Sequence, residues 1–169
     1  MKLTLDRMCI QTKKLCASCI ELMDKGEVSE FDVTFGNILM NLAKSNKYLN
    51  DLTVTKIVPT EKNIFVIVKK GHLSKVDKAE EQIMEKLGRN ERRNIRFLEK
   101  SKSAKTLLEG VLAPIKPLSS TIVIIPPDGT KELKVQIKEK DKKSLFYAAA
   151  EISKLTKSVL GMDSHFVYV

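Results

Sequence analysis

Tryptophan is absent from this 169-residue chain, and aromatic residues make up only 5% of it. A surface that stacks many bases in succession is therefore not expected. Long apolar runs are also missing, since none approaches the roughly 20 residues that a membrane-crossing helix needs. The opening Met1-Lys2-Leu3-Thr4-Leu5-Asp6-Arg7 has no continuous apolar segment behind its charges, so the expectation is a cytoplasmic protein without a secretory signal. Only two histidines occur, His72 and His165, and neither neighbours a serine or cysteine in a nucleophile–base pattern. There is no phosphate-binding Gly-rich loop and no His-Glu-x-x-His. Enzyme chemistry and a small-molecule substrate are thus not expected. Acids are outnumbered: 30 Lys and Arg against 21 Asp and Glu leave a net charge of +9. The partners this implies are polyanions, with nucleic acid first and an acidic protein second; no membrane association is expected.

What is present is a repeated pattern behind a short head. Phe35, Ile38, Leu39 and Leu42 follow Asp32 at helical spacing. Leu52–Val58 and Ile64–Val68 read as strands joined by a turn at Pro59–Asn63. Ala79, Ile83 and Leu87 mark a helix face with Gly88 as its stop, and Ile95–Leu98 reads as a third strand. The order then recurs. Ala104, Leu107, Leu108 and Val111 form a helix face. Thr121–Ile125 and Leu133–Ile137 form a hairpin about the Pro126-Pro127-Asp128-Gly129 turn. Leu145, Ala149, Ile152, Leu155 and Val159 form a helical face stopped by Gly161, and His165–Val169 is the closing strand. Matching landmarks lie about 70 residues apart, a spacing that suggests duplicated domains rather than a solenoid. The predicted architecture is α+β, with a Cys-containing segment over 1–30 and two α-β-β-α-α-β units over 31–100 and 101–169.

This order, doubled and basic, resembles the tandem type II KH domains of NusA transcription factors. Glu109-Gly110-Val111-Leu112-Ala113-Pro114-Ile115-Lys116 is similar to the segment that opens the second KH domain in archaeal NusA-like proteins. Ala79–Gly88 resembles the helix after the RNA-gripping loop of the first. Cys9, Cys16-Ala17-Ser18-Cys19 and Asp24–Glu30 resemble the N-terminal segment of that family. The resemblance implies RNA binding in transcription elongation or termination, with RNA polymerase or the ribosome as a protein partner. It also implies a Gly-x-x-Gly loop whose backbone amides approach phosphates, and neither copy has one. The equivalent stretches are Leu73–Asp77, whose basic residue is Lys75, and Lys143–Ala148, where Phe146 and its neighbours read as helix interior. A KH-derived protein-interaction module that no longer grips RNA is the alternative.

Three cysteines, an odd number, argue against a disulfide framework. Cys9, Cys16 and Cys19 include one Cys-x2-Cys pair, a spacing that can place two thiolates on a tetrahedral zinc ion. Asp6, His72 or His165 could supply a fourth ligand, and the alternative is three reduced, buried thiols. Iron–sulfur ligation fits less well, because no further cysteine completes the usual set. A basic stretch of Arg89, Arg92, Arg93, Arg96, Lys100, Lys102 and Lys105, together with Lys75, is the candidate phosphate-binding surface. A second group, Lys131, Lys134, Lys138, Lys140, Lys142 and Lys143, is interspersed with Glu132, Glu139 and Asp141 and reads as a solvated face.

Overall fold

Ser29 starts the longest helix of the chain. In the computed structural model, which describes residues 1–88 and 91–169, three helices come first: α1 (Arg7–Thr12), α2 (Ala17–Asp24) and α3 (Glu30–Ala43). Asp32 Oδ2 accepts the Ser29 amide at 2.9 Å and the Ser29 hydroxyl at 3.0 Å, which satisfies donors that a helix start leaves open. The helix therefore begins ahead of Asp32 rather than after it. Asp32 Oδ1 accepts the Thr4 hydroxyl at 2.7 Å and so ties the N-terminal strand-like segment to α3. Burial nevertheless raises the Asp32 pKa, because desolvation of the carboxylate outweighs these bonds.

Segment 1–30 is fastened to α3 by an apolar cluster of its own, in which Leu5, Cys9, Ile10, Cys19 and Val28 meet Met40. Gly36 permits this approach. A Cβ there would stand 2.7 Å from the Ile10 side chain, so α1 rests directly on the α3 backbone. By contact the chain divides into two units, Met1–Lys100 and Ser101–Val169, and segment 1–30 belongs to the first.

The first unit continues through a 3₁₀ helix at Lys47–Asp51 into β1 (Val54–Pro59), β2 (Asn63–Val68), α4 (Leu73–Asp77), α5 (Glu80–Gly88) and β3 (Asn94–Glu99). Strand β2 is central, antiparallel to β1 and parallel to β3. Alternation puts Ile64, Val66 and Val68 on the face that packs with Phe35, Leu39, Ile83, Ile95 and Phe97 in one core. The start of edge strand β1 is covered, since Lys2 bridges Thr53 and exchanges hydrogen bonds with Leu52 and Val54.

The second unit repeats the plan: α6 (Ala104–Leu112), β4 (Ser119–Ile125), β5 (Thr130–Ile137), a 3₁₀ helix at Glu139–Ser144, α7 (Ala149–Leu160) and β6 (Asp163–Tyr168). Strand β5 is central, antiparallel to β4 and parallel to β6, the same pairing pattern as in the first sheet. Gly161 ends α7 at φ 74°, donating its amide to the Lys157 carbonyl, a left-handed cap that glycine adopts without a Cβ penalty. The fold is α+β with two units and a Cys-containing N-terminal segment, as the sequence pattern predicts.

Two local expectations are corrected. Leu73–Asp77 is not a loop but helix α4, with Val76 driven into the core, and the connection to α5 is only Lys78–Ala79. Phe146 is not helix interior: Leu145–Ala148 is non-helical, and the Phe146 ring is 74% exposed.

Candidate metal centre and basic surface

The turn between α1 and α2 brings the three cysteines together. Lys13 ends α1 at φ 58°, which reverses the chain so that Cys16, the residue preceding α2, returns to Cys9. The Cys16 amide donates to Cys9 Sγ at 3.3 Å. All three sulfurs lie within 4.8 Å of one another, with Cys9 and Cys19 buried and Cys16 exposed. Thiolates 2.3 Å from one tetrahedral ion stand about 3.8 Å apart, so small side-chain rotations suffice to converge on a metal. These three residues fit the ligands of a metal ion.

The protons on this cluster are unequally held. Burial pushes the Cys19 thiol up to about 11, against a smaller opposing pull from the Asp6 backbone amide. The Cys16 pKa is lowered, chiefly by the Cys19 backbone amide and then by the neighbouring thiols, although Cys16 forms no completed side-chain cap bond on α2. An exposed thiol with a lowered pKa is a natural first ligand, and the buried pair then closes on the ion. Among the described residues no His, Asp or Glu joins the three sulfurs. The Asp6 carboxylate instead caps α1 by accepting the Met8 amide at 2.8 Å. Nδ1 of His72 accepts the Thr53 amide at 3.1 Å, and His165 sits on β6 in the second unit.

The basic stretch separates into different kinds of cation. Arg89 lies outside the described residues. Arg92, Lys100 and Lys102 are exposed and make no ion pair among the described residues. Arg96 is exposed on β3, and Lys75 is half-buried on α4. Arg93 is bound within the fold. Its Nε and Nη2 donate to Glu91 Oε1 and Oε2, each at 2.7 Å, and its guanidinium lies 5.5 Å over the Phe31 ring. A planar fork so engaged is not available to a phosphate. Lys105 pairs with Glu109 at 4.0 Å. In the second group Lys142 lies 3.6 Å from Glu139 and over the Tyr168 ring, while Lys134 and Lys138 are exposed.

A scan against protein-family models finds no match to this chain, and a search of curated proteins finds none. Among solved structures, the chain is similar to one described as "Crystal structure of APE1850". The TM-score is 0.56 at 14% identity, over 78% of this chain and 95% of that one. At that identity the likeness shows the fold alone.

The Arg93–Glu91 pair carries a pH-dependent prediction. Its hydrogen bonds from Arg93 hold the Glu91 carboxyl below its ordinary 4.5. A depressed carboxylate stabilises the fold above the unfolded value, and that stability is lost as pH falls through the folded value. Arg93→Ala should therefore destabilise the chain by about 1–2 kcal/mol at pH 7, and the difference from the parent should shrink below pH ~4. Urea unfolding at the two pH values measures this. An equal difference at both would mean that the Phe31 contact, not the ion pair, supplies the effect.

Proposed function

We propose that this chain is a non-enzymatic, cytoplasmic RNA-binding protein of the archaeal NusA-like KH class, acting in transcription elongation or termination. It holds RNA by charge, and a protein partner such as RNA polymerase or the ribosome positions it. The supporting observation is the excess of cations, +9 overall, with Arg92, Lys100 and Lys102 exposed and in no ion pair among the described residues. Without Gly-x-x-Gly loops the grip is electrostatic, with phosphates neutralised one by one. In the same reading the ion held by Cys9, Cys16 and Cys19 is zinc, whose role is to fix α1 against α2.

A salt titration of single-stranded RNA binding tests this. Log affinity should fall with log salt, and replacing Arg92, Lys100 and Lys102 together by Ala should flatten the slope by about two units, roughly 0.7 for each phosphate no longer neutralised. A triple variant that binds like the parent at every salt concentration would remove these residues from the interface. A parent that binds no RNA at low salt would remove the reading itself.

One observation favours the protein-interaction alternative. Edge strand β4 is exposed throughout its apolar part, with Ile122 51% and Ile124 61% accessible, and it carries no Lys, Pro or charge of its own. Such edges usually bear those residues as protection against pairing with another strand. Loss of RNA binding together with capture of a strand-like peptide on β4 would favour this alternative.

A further inference from the structure

A groove on the first unit, lined by none of the basic stretch, has a lining suited to one nucleotide. It runs along α1, α3 and the Lys47–Asp51 3₁₀ helix and encloses about 520 Å³. Small-ligand sites span ~300–1,000 Å³, so a single nucleotide fits and a duplex does not. Helical spacing builds the lining. Arg7 and Gln11 are one turn apart on α1; Asn37 and Asn41 are one turn apart on α3, and Lys44 caps its C-terminus; Lys47 and Asn50 are one 3₁₀ turn apart.

The chemistry of this lining is one-sided. Three cationic side chains, Arg7, Lys44 and Lys47, line it, and no carboxylate side chain does. Four side-chain amides share the same surface. Lys44 Nζ donates to Asn41 Oδ1 at 3.0 Å, and Asn41 Nδ2 donates in turn to Asn37 Oδ1 at 3.2 Å. That relay uses up acceptors and leaves donors: two N–H groups on Lys44, one on Asn41 and two on Asn37. A lining with spare donors and positive charge selects an anion, and phosphate is the anion that a chain of this net charge meets on a polymer. Gln11 and Asn50, whose side-chain oxygens accept no hydrogen bond among the described residues, supply the mixed donor–acceptor face that a base edge requires. Buried Met40 and Ala43 give it an apolar floor. Aromatic rings are missing from the lining, so the flat Arg7 guanidinium is the one group here on which a base could stack.

We propose that this groove seats one nucleotide of a single-stranded RNA, with its phosphate on Lys44 and Lys47 and its base edge on the amides. The proposal rests on the RNA-binding reading, and it adds a site with sequence preference to a surface that otherwise senses only charge.

The test uses the full chain with four RNA hexamers, one for each base. Side-chain amide resonances of Gln11, Asn37, Asn41 and Asn50 should shift on titration. The Arg7→Ala/Lys47→Ala variant, altered only at exposed positions, should bind the preferred hexamer at least ~10-fold more weakly, with a salt slope lower by about 0.7 to 1.4. Asn37→Ala should weaken the preferred hexamer more than the others and so narrow the differences among them. If the double variant binds RNA as the parent does, or the groove amides stay unshifted while RNA binds elsewhere, the groove proposal fails and the RNA-binding reading stands. If inorganic phosphate alone produces the same amide shifts at the same affinity, the groove is an anion site without base recognition and the proposal fails. A parent that binds no hexamer at low salt overturns the RNA-binding reading, and the groove falls with it.

Discussion

Zinc should bind the metal-free chain at one ion per chain, with an affinity that climbs at least tenfold for each pH unit between about pH 6 and 8. The reason is the proton on Cys19. Burial holds that thiol near 11, so at neutral pH it is protonated in the metal-free chain and must lose its proton to become a ligand. Cys19→Ser removes the buried ligand and should weaken binding on the order of 100-fold or more. Asp6→Ala should leave affinity within about threefold, because the backbone amide facing Cys19 is retained and only the α1 cap is lost, a change that costs ~1 kcal/mol of stability. Competition against a chromophoric chelator reads all three constants. An affinity flat across this pH range would mean that Cys19 is not a ligand. If Asp6→Ala weakens binding as far as Cys19→Ser, the carboxylate must swing off the α1 cap to coordinate the ion.

The two sheets were legible in the sequence because each strand carries its own signal. Ile64–Val68 is β-branched or aromatic throughout, and Leu133, Val135 and Ile137 alternate with polar neighbours; both patterns survive without tertiary information. Helix α4 was not legible. With five residues and only Val76 fully buried, it has too little periodicity to distinguish it from a loop. The helical reading of Phe146 failed for the opposite reason: an apolar run, Leu145-Phe146-Tyr147-Ala148, looks like a helix face, yet it precedes α7 and Phe146 stands in solvent.

At the candidate site the sequence placed the three cysteines correctly as a group, since Cys-x2-Cys spacing is local, but it could not assign roles to their neighbours. The contribution of Asp6 through its backbone and not its carboxylate depends on the turn that the α1 cap makes. Arg93 looked like any member of a cationic run. Its engagement depends on Phe31, far away in sequence, and on Glu91, whose position two residues earlier matches no recognised pairing spacing. The groove along α1 and α3 was invisible for the same reason. Its residues come from several separate stretches of chain, and only the fold sets them side by side.

Phe35→Ala should be among the most destabilising single substitutions in the chain, costing about 3–5 kcal/mol in urea unfolding. The ring is fully buried on α3 and stands 5.7 Å from Phe31 and 6.2 Å from Phe97, centroid to centroid. It thus connects the helix to β3 and to the aromatic surface on which Arg93 rests. Removing it leaves a cavity lined on one side by α3 and on the other by strand residues held in register by hydrogen bonds, so neither wall can move in to fill it. A loss of this size is a large fraction of the ~5–15 kcal/mol that holds an ordinary domain folded. The groove residues Asn37 and Asn41 lie on the same helix, so Phe35→Ala should also weaken any ligand held there, in proportion to the unfolded fraction. Ile124→Ala provides the contrast: at 61% exposure it removes little buried surface and should change stability by no more than ~0.5 kcal/mol. If Phe35→Ala costs less than about 1 kcal/mol, the helix is not seated on the sheet through this ring, and the depth of the first core has been placed at the wrong residues.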